Sequence, residues 1–275
     1  MVLAITKEID QLFQHSRRVN TGIGIVRIGQ ATRVVALDGT GDFDTLEEAI
    51  TDLPEGGVIY VKEGTYVIKN KITISAHGLT ITGAGRSTVI YTEGDIRLLE
   101  IVGDYFVIDN VYLKGNDTGA NQIGIFMTAT STDSIIRNCW ITNFNDTGIV
   151  LLSDDTIISN CFVTDIGESG ISVDTNDNSI TNCVIRDNGD WGIEVSSGTG
   201  LICSGNIITG NGESGIISSG DEGIFSGNSC IDNLDHGIEI DSGDYNVVTS
   251  NALRTNTNAG LAETGTGNEI GHNVE

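Results

Sequence analysis

The sequence predicts an all-β fold: a single-stranded, right-handed parallel β-helix with three short strands per coil, ~22 residues per coil, and an N-terminal capping helix. Three observations predict it. A Gly-Ile step recurs at Gly124, Gly148, Gly170, Gly192, Gly215 and Gly237, and closes as Gly260-Leu261. An asparagine ladder runs beside it, at Asn138, Asn160, Asn182, Asn206, Asn228, Asn251 and Asn273. One whole repeat, 148–169, divides into three short apolar stretches separated by turns. Two residue types locked to one spacing mean a repeating backbone rather than one globular core. A leucine-rich solenoid would need Leu at fixed offsets and a helix per repeat, and a propeller would need blades of ~40 residues.

Composition agrees. The chain has 275 residues with 36 Gly and 1 Pro, which suits many sharp bends without rigid linkers. A net charge of −24 argues against a nucleic-acid partner held through phosphates. Residues 115–275 carry 23 acids against three bases, Arg137, Arg186 and Arg254, so the repeat body is the acidic part. No apolar run is long enough to span a membrane. No signal-peptide core is visible at the N-terminus.

Taken in order, residues 1–34 read as a helix and strand segment for attachment or oligomerisation. Ile5, Ile9, Leu12 and Phe13 stand at helical spacing, so 1–18 is expected to be a short amphipathic helix. Residues 23–37 are expected to hold one or two strands. Residues 35–275 form the β-helix. Its capping helix is expected at 44–53, with Asp44 as N-cap and Glu47 as its partner. Leu46, Ala49, Ile50 and Leu53 are the apolar face, and Pro54 with Gly56-Gly57 ends it. Short strands follow over 57–68, 72–74, 79–81 and 88–91.

Within a repeat, Gly148-Ile-Val-Leu151 is a strand, Ser153–Asp155 a turn, Thr156–Ser159 a strand and Asn160 a bend. Cys161–Val163 is the third strand, and Asp165–Ser169 loops back. Asn at the bend tolerates left-handed φ/ψ, and its amide can bond its counterpart one coil on. Gly before each inward Ile is expected to let the returning loop turn sharply. Cys139, Cys161 and Cys183 each follow a ladder asparagine. Stacked ~4.8 Å apart, they suit buried free thiols better than disulfides.

The text Val35-Ala-Leu-Asp-Gly-Thr-Gly-Asp-Phe-Asp-Thr-Leu-Glu-Glu-Ala-Ile50, then Gly57–Tyr66, then Ile81–Ile90, resembles the opening segment of the pectate-lyase-like β-helix superfamily. Phage tailspikes, pectin esterases and polysaccharide lyases share that segment. The resemblance covers 35–90; later coils match in period alone. It implies glycan binding along the first strand of each coil and the loop before it. The polygalacturonase motifs are missing: Asp154-Asp155 falls in a turn, and Asp235-His236-Gly237 lacks the first Gly. The alginate-epimerase Asp-Pro-His-Asp core is absent, since Pro54 is the one proline.

On the Gly-Ile strand and its loop, two columns emerge. The residue two before the glycine is acidic in five successive coils: Asp146, Glu168, Asp190, Glu213 and Asp235. The outward residue after Ile is Phe126, Val150, Ser172, Glu194, Ile217, Glu239 and Ala262. Glu194 and Glu239 are two coils apart, ~9–10 Å, close to the ~6.5–9.5 Å of inverting glycosidases. Asp190 and Glu213, like Glu213 and Asp235, are one coil apart, near the ~5 Å of retaining enzymes. The catalytic candidates are therefore Glu194, Glu239, Asp190, Asp235 and His236. Trp191, Glu168, Glu213 and Asp241 are candidates for substrate binding. The plainer reading is that acids on turns keep a parallel sheet soluble, and that Trp191 folds onto the shaft. His236 could pair with Asp235 or, with Glu239 and Asp241, ligate a metal. No metal site or cofactor is assigned, although Asp174, Asp177, Asp221 and Glu222 could hold Ca²⁺.

The function these features favour is a carbohydrate-recognising, tailspike- or fibre-like β-helix on the virion surface or outside the cell. It would bind surface polysaccharide along the first strand of coils 168–241. A polysaccharide-active enzyme with paired carboxylates, a glycoside hydrolase before a lyase or epimerase, is the alternative. A structural β-helix without a site is the second. The chain stops inside a coil at Asn273-Val274-Glu275, so neighbouring subunits or another domain are expected to cover that edge. A homotrimer is the expected assembly.

Overall fold

A computed structural model describes residues 32–54 and 56–275. The helix expected over 1–18 lies outside the described residues, as does the attachment segment apart from its last three positions. Of the strands expected over 23–37, Thr32–Val35 is described, and it pairs in parallel with Gly57–Val61.

From there the chain winds as a parallel solenoid of three sheets. The Gly-Ile sheet has nine strands, from Ile72–Ile74 through Ile193–Ser197 and Ile238–Ile240 to Leu261–Glu263. The second sheet has eleven, from Thr32–Val35 to Glu269–Gly271. The third has eight, from Gly64–Ile68 to Ser229–Ile231. From Gly57 to Ile240 successive strands fall in turn on the second, third and Gly-Ile sheets, and each pairs in parallel with its counterpart one coil on. Among the described residues no strand depends on a hairpin. Inward positions are almost all Ile, Val and Leu: Ile125, Ile149, Ile171, Ile193, Ile216 and Ile238 are fully buried in one column.

Helix α1 (Leu46–Thr51) is one residue later at its cap than expected. Thr45, not Asp44, is the N-cap: its side chain accepts from the Glu48 amide at 3.3 Å, and its hydroxyl donates to Glu48 Oε2 at 3.0 Å. The Thr45 oxygen thereby satisfies one helix-end N–H, that of Glu48, while the Glu48 carboxylate is tied back to the Thr45 hydroxyl. Leu46 and Ala49 bury against the first two strands of the second sheet.

The asparagine ladder resolves into two columns. Asn138, Asn160 and Asn182 sit in left-handed backbone at the corner between the second and third sheets, with φ of 53°, 54° and 55°. Further along, Gly205, Gly227, Ser250 and His272 hold that left-handed position. Asn206, Asn228 and Asn251 are buried one residue later, in the place that Cys139, Cys161 and Cys183 occupy earlier. The 24-residue gap between Asn182 and Asn206 marks the change. Only the later asparagines stack amide to amide: Asn206 donates to Asn228 at 3.0 Å, Asn228 to Asn251 at 3.1 Å, and Asn251 to Asn273 at 2.9 Å. A second ladder, Asn188 to Asn211 to Asn233 to Asn256, closes the corner before the Gly-Ile strand, with spacings of 2.9, 2.8 and 3.0 Å. All five cysteines are free and buried. Burial pushes the Cys203 thiol up to about 12 and raises Cys230 well above its usual value, so these sulfurs pack as small apolar groups.

Candidate functional site

The ladder glycines build the candidate face, for a different reason than the one expected. None of the seven has a positive φ. A side chain would instead strike the next coil: a Cβ on Gly148 would lie 2.6 Å from the Gly170 carbonyl oxygen, and one on Gly192 2.6 Å from that of Gly215. Glycine is required by close backbone approach, not by a turn. That approach sets the loops in register. Glu168 N donates to Asp146 O, Asp190 N to Glu168 O, Glu213 N to Asp190 O and Asp235 N to Glu213 O, at 3.0–3.3 Å. The five loop acids therefore form one stacked column.

Stacked acids repel, and Glu168 registers it. Burial first, then the charges of Asp146, Asp190 and Glu194, raise its pKa above the usual glutamate value. Trp191 lies in the neighbouring column, between Ser169 and Ser214, and is half-buried. Its carbonyl accepts from Gly170 N at 2.9 Å.

The outward column of the strand is in register too. Ser172 pairs with Glu194, Glu194 with Ile217, and Ile217 with Glu239. Glu194 and Glu239 thus stand two coils apart, ~9–10 Å, with Ile217 between them. Each carboxylate is held by a buried serine one coil back. Ser169 Oγ donates to Glu194 Oε2 at 3.0 Å, and Ser214 Oγ donates to Glu239 Oε2 at 2.9 Å. These serines were not singled out from sequence. The signal was present: each directly precedes a ladder glycine, and each glutamate follows its serine by 25 residues.

Asp235, His236 and Glu239 converge, with one ligand atom from each within 4.8 Å of the others. His236 Nδ1 is 3.1 Å from Asp235 Oδ1 and 3.7 Å from Glu239 Oε2, yet it is buried without an aligned hydrogen bond. Asn258 donates to Asp235, and the His236 amide donates to Ser214 Oγ at 3.3 Å. The arrangement offers an imidazole flanked by two carboxylates, suited to proton transfer or to one divalent cation. Asp241 is exposed and is not one of the three.

Asp174, Asp177, Asp221 and Glu222 are not in a three-ligand group of His, Cys, Asp and Glu among the described residues. Among the described residues, the group able to offer three ligands to one ion is Asp235, His236 and Glu239. Asp221 instead accepts from the Asp244 amide at 2.8 Å, and Asp177 and Glu222 occupy left-handed corners.

A family model described as "Right handed beta helix region" matches residues 37–222 and 147–274. The chain belongs to this family. Among curated relatives, Pectinesterase 1 of Solanum lycopersicum is 32% identical over 131 residues, covering 42% of this chain and 24% of that protein. The chain thus spans about a quarter of the length of the first pectinesterases it matches. Among solved structures, the Dettilon tailspike protein superposes with a TM-score of 0.67 at 16% identity, over 80% of this chain and 48% of that one. The A-module of the Azotobacter vinelandii mannuronan C-5 epimerase AlgE4 superposes at 0.60 and 14% identity, over 82% and 90%. At such identities the superpositions establish the shared right-handed parallel β-helix, common to tailspikes and polysaccharide-active enzymes. No helix among the described residues is long and apolar enough to cross a membrane.

Proposed function

We propose that this β-helix is a tailspike-like protein that recognises polysaccharide along the Gly-Ile sheet of coils 168–241. The observation that supports this reading most is the shared register of Trp191, the loop acids, Glu194 and Glu239 on one face. A half-buried indole beside hydrogen-bonding carboxylates matches a sugar's apolar ring face and its hydroxyls. Glu168, Asp190, Glu213 and Asp235 would line the loop edge of that groove, and Asp241 its far end. In this reading the protein is a homotrimer at a virion surface or outside the cell, residues 1–34 serve attachment or assembly, and α1 caps the solenoid. Binding of the full chain to an array of bacterial surface glycans tests it. Loss of binding in Trp191→Ala supports the reading, and so does elution at three times the chain mass. Unchanged binding in that variant overturns the site, and elution as a monomer overturns the trimer.

A second reading is favoured by the two serine-held carboxylates. Glu194 and Glu239 stand near the ~6.5–9.5 Å separation of inverting glycoside hydrolases, where one acts as acid and the other as base. His236 with Asp235 would supply a further proton relay. A reducing-sugar assay over neutral and acidic polysaccharides tests this reading. Turnover abolished by Glu194→Gln or Glu239→Gln supports it, and the absence of turnover on every substrate overturns it.

A further inference from the structure

The third sheet carries a face that the readings above leave unused. Its eight strands contain no Asp or Glu, in a chain of net charge −24. The nine strands of the Gly-Ile sheet contain Glu100, Asp174, Glu194, Glu239 and Glu263. Outward on the third sheet, Tyr112, Trp140, Phe162, Val184 and Ile207 follow one another in register. Lys114, Thr142, Thr164 and Arg186 run beside them.

Aromatic rings and cations meet on this stripe. Trp140 and Phe162 stack at 5.8 Å between centroids with planes 7° apart. The Arg86 guanidinium lies over Tyr112 and Trp140, 5.8 and 5.9 Å from the ring centroids. The stack stops at Phe162. Its next neighbour is the short Val184, so one ring face is covered by Trp140 and the other looks onto a smaller side chain, and Phe162 is 41% exposed. A depression of about 350 Å³ on this stripe has Arg86, Trp140, Phe162, Val184 and Arg186 in its lining. Among the described residues Arg186 pairs with its neighbour Asp187 alone, at 3.2 Å, and both are half exposed. Such a pair holds the guanidinium weakly and leaves it free to meet a ligand.

We propose that this depression binds a carboxylate-bearing sugar, with the ring stacked on the face of Phe162 away from Trp140 and the carboxylate paired to Arg186. A planar guanidinium fork matches a carboxylate in two parallel hydrogen bonds, and an aromatic face matches the apolar C–H face of a pyranose. Arg86, in the same lining, meets the anion of a neighbouring sugar unit. The volume is at the small end of ligand sites of ~300–1,000 Å³, which suits a sugar or two rather than a folded partner. Strands without carboxylates, with Lys114 and Arg186 on them and Arg86 beside them, favour an anionic sugar over a neutral one.

The experiment is calorimetric titration of the full chain with a uronic-acid tetrasaccharide and with an uncharged glucose tetrasaccharide, at ~0.15 M salt where the shaft's long-range repulsion is screened. The uronic tetrasaccharide is expected to bind and the glucose one to bind far more weakly. Phe162→Ala and Arg186→Gln are each expected to weaken the uronic ligand by about ten-fold. Melting followed by circular dichroism confirms that both variants fold, and Arg186→Gln touches no core residue. Loss of uronic-ligand binding in Phe162→Ala and Arg186→Gln, both on the third sheet and outside the Gly-Ile face, makes failure here separable from failure of the Gly-Ile site. The proposal is overturned if neither sugar binds, if both bind equally, or if the two variants bind as wild type does. It is also overturned if the protein is an oligomer that Phe162→Ala dissociates, because a second copy would then occupy the face.

Discussion

Ser214 Oγ donates to Glu239 Oε2 at 2.9 Å across one coil, and Ser169 makes the same contact to Glu194 at 3.0 Å two coils earlier. A carboxylate fixed by a buried hydroxyl keeps its orientation. If the face hydrolyses a glycan, removing either acid takes away one partner of the pair. Glu194→Gln and Glu239→Gln are then expected to lower turnover by about 10²–10⁴-fold. Ser214→Ala should lower it less, through misorientation. Steady-state release of reducing ends reads all three.

Glu168 predicts a pH effect. Its folded pKa is raised above the unfolded value, so the folded state binds the extra proton. The associated stability is present below the unfolded pKa and is lost as pH rises through the folded one. Asp155 behaves alike, raised by burial and then by Asp133, Asp177 and Asp154. Glu168→Gln is expected to raise Tm at pH 7 by about 1–2 °C and to leave it unchanged at pH 3, as thermal melts at the two pH values would show.

The two asparagine columns are expected to respond differently to substitution. Asn228 is buried and bonds both to Asn251 and to the Cys203 carbonyl, at 3.1 and 2.9 Å. Asn228→Ala strands those partners and should cost about 1–3 kcal/mol. Asn160 is exposed in left-handed backbone, so Asn160→Gly should be close to neutral. Urea titrations of the two variants compare them directly.

The glycines divide in the same way. A Cβ on Gly192 would lie 2.5 Å from Ile208 Cγ2 and 2.6 Å from the Gly215 oxygen, whereas one on Gly227 meets nothing within 4 Å. Gly227→Ala should cost only the ~1–2 kcal/mol of its left-handed φ. Gly192→Ala must push two coils apart and should cost more, visible as a lower yield of folded protein and a lower urea midpoint.

The period was legible because each coil repeats the same demands on Gly, Ile and the corner residue. It could not tell whether a ladder asparagine lies at the left-handed corner or one residue inside it. Asn182 and Asn206 look alike in the text, and only the 24-residue gap betrays the shift. The acid column at Asp146, Glu168, Asp190, Glu213 and Asp235 was legible for the same reason as the period. Ser169 and Ser214 were not, because their partners lie a coil away and serine before glycine looks like ordinary loop text. The Trp140–Phe162 stack was not legible because the two rings are 22 residues apart and meet only through the coil register of the third sheet.

Register along the Gly-Ile sheet makes the shaft a ruler with fixed graduations. Side chains on one face can be separated only by whole coils, in steps of ~4.8 Å. Excising the coil that carries Ile217 would bring Glu194 and Glu239 from two graduations to one, with the core columns and backbone pairing restored around the join. Spacing on this scaffold changes by counting, not by bending.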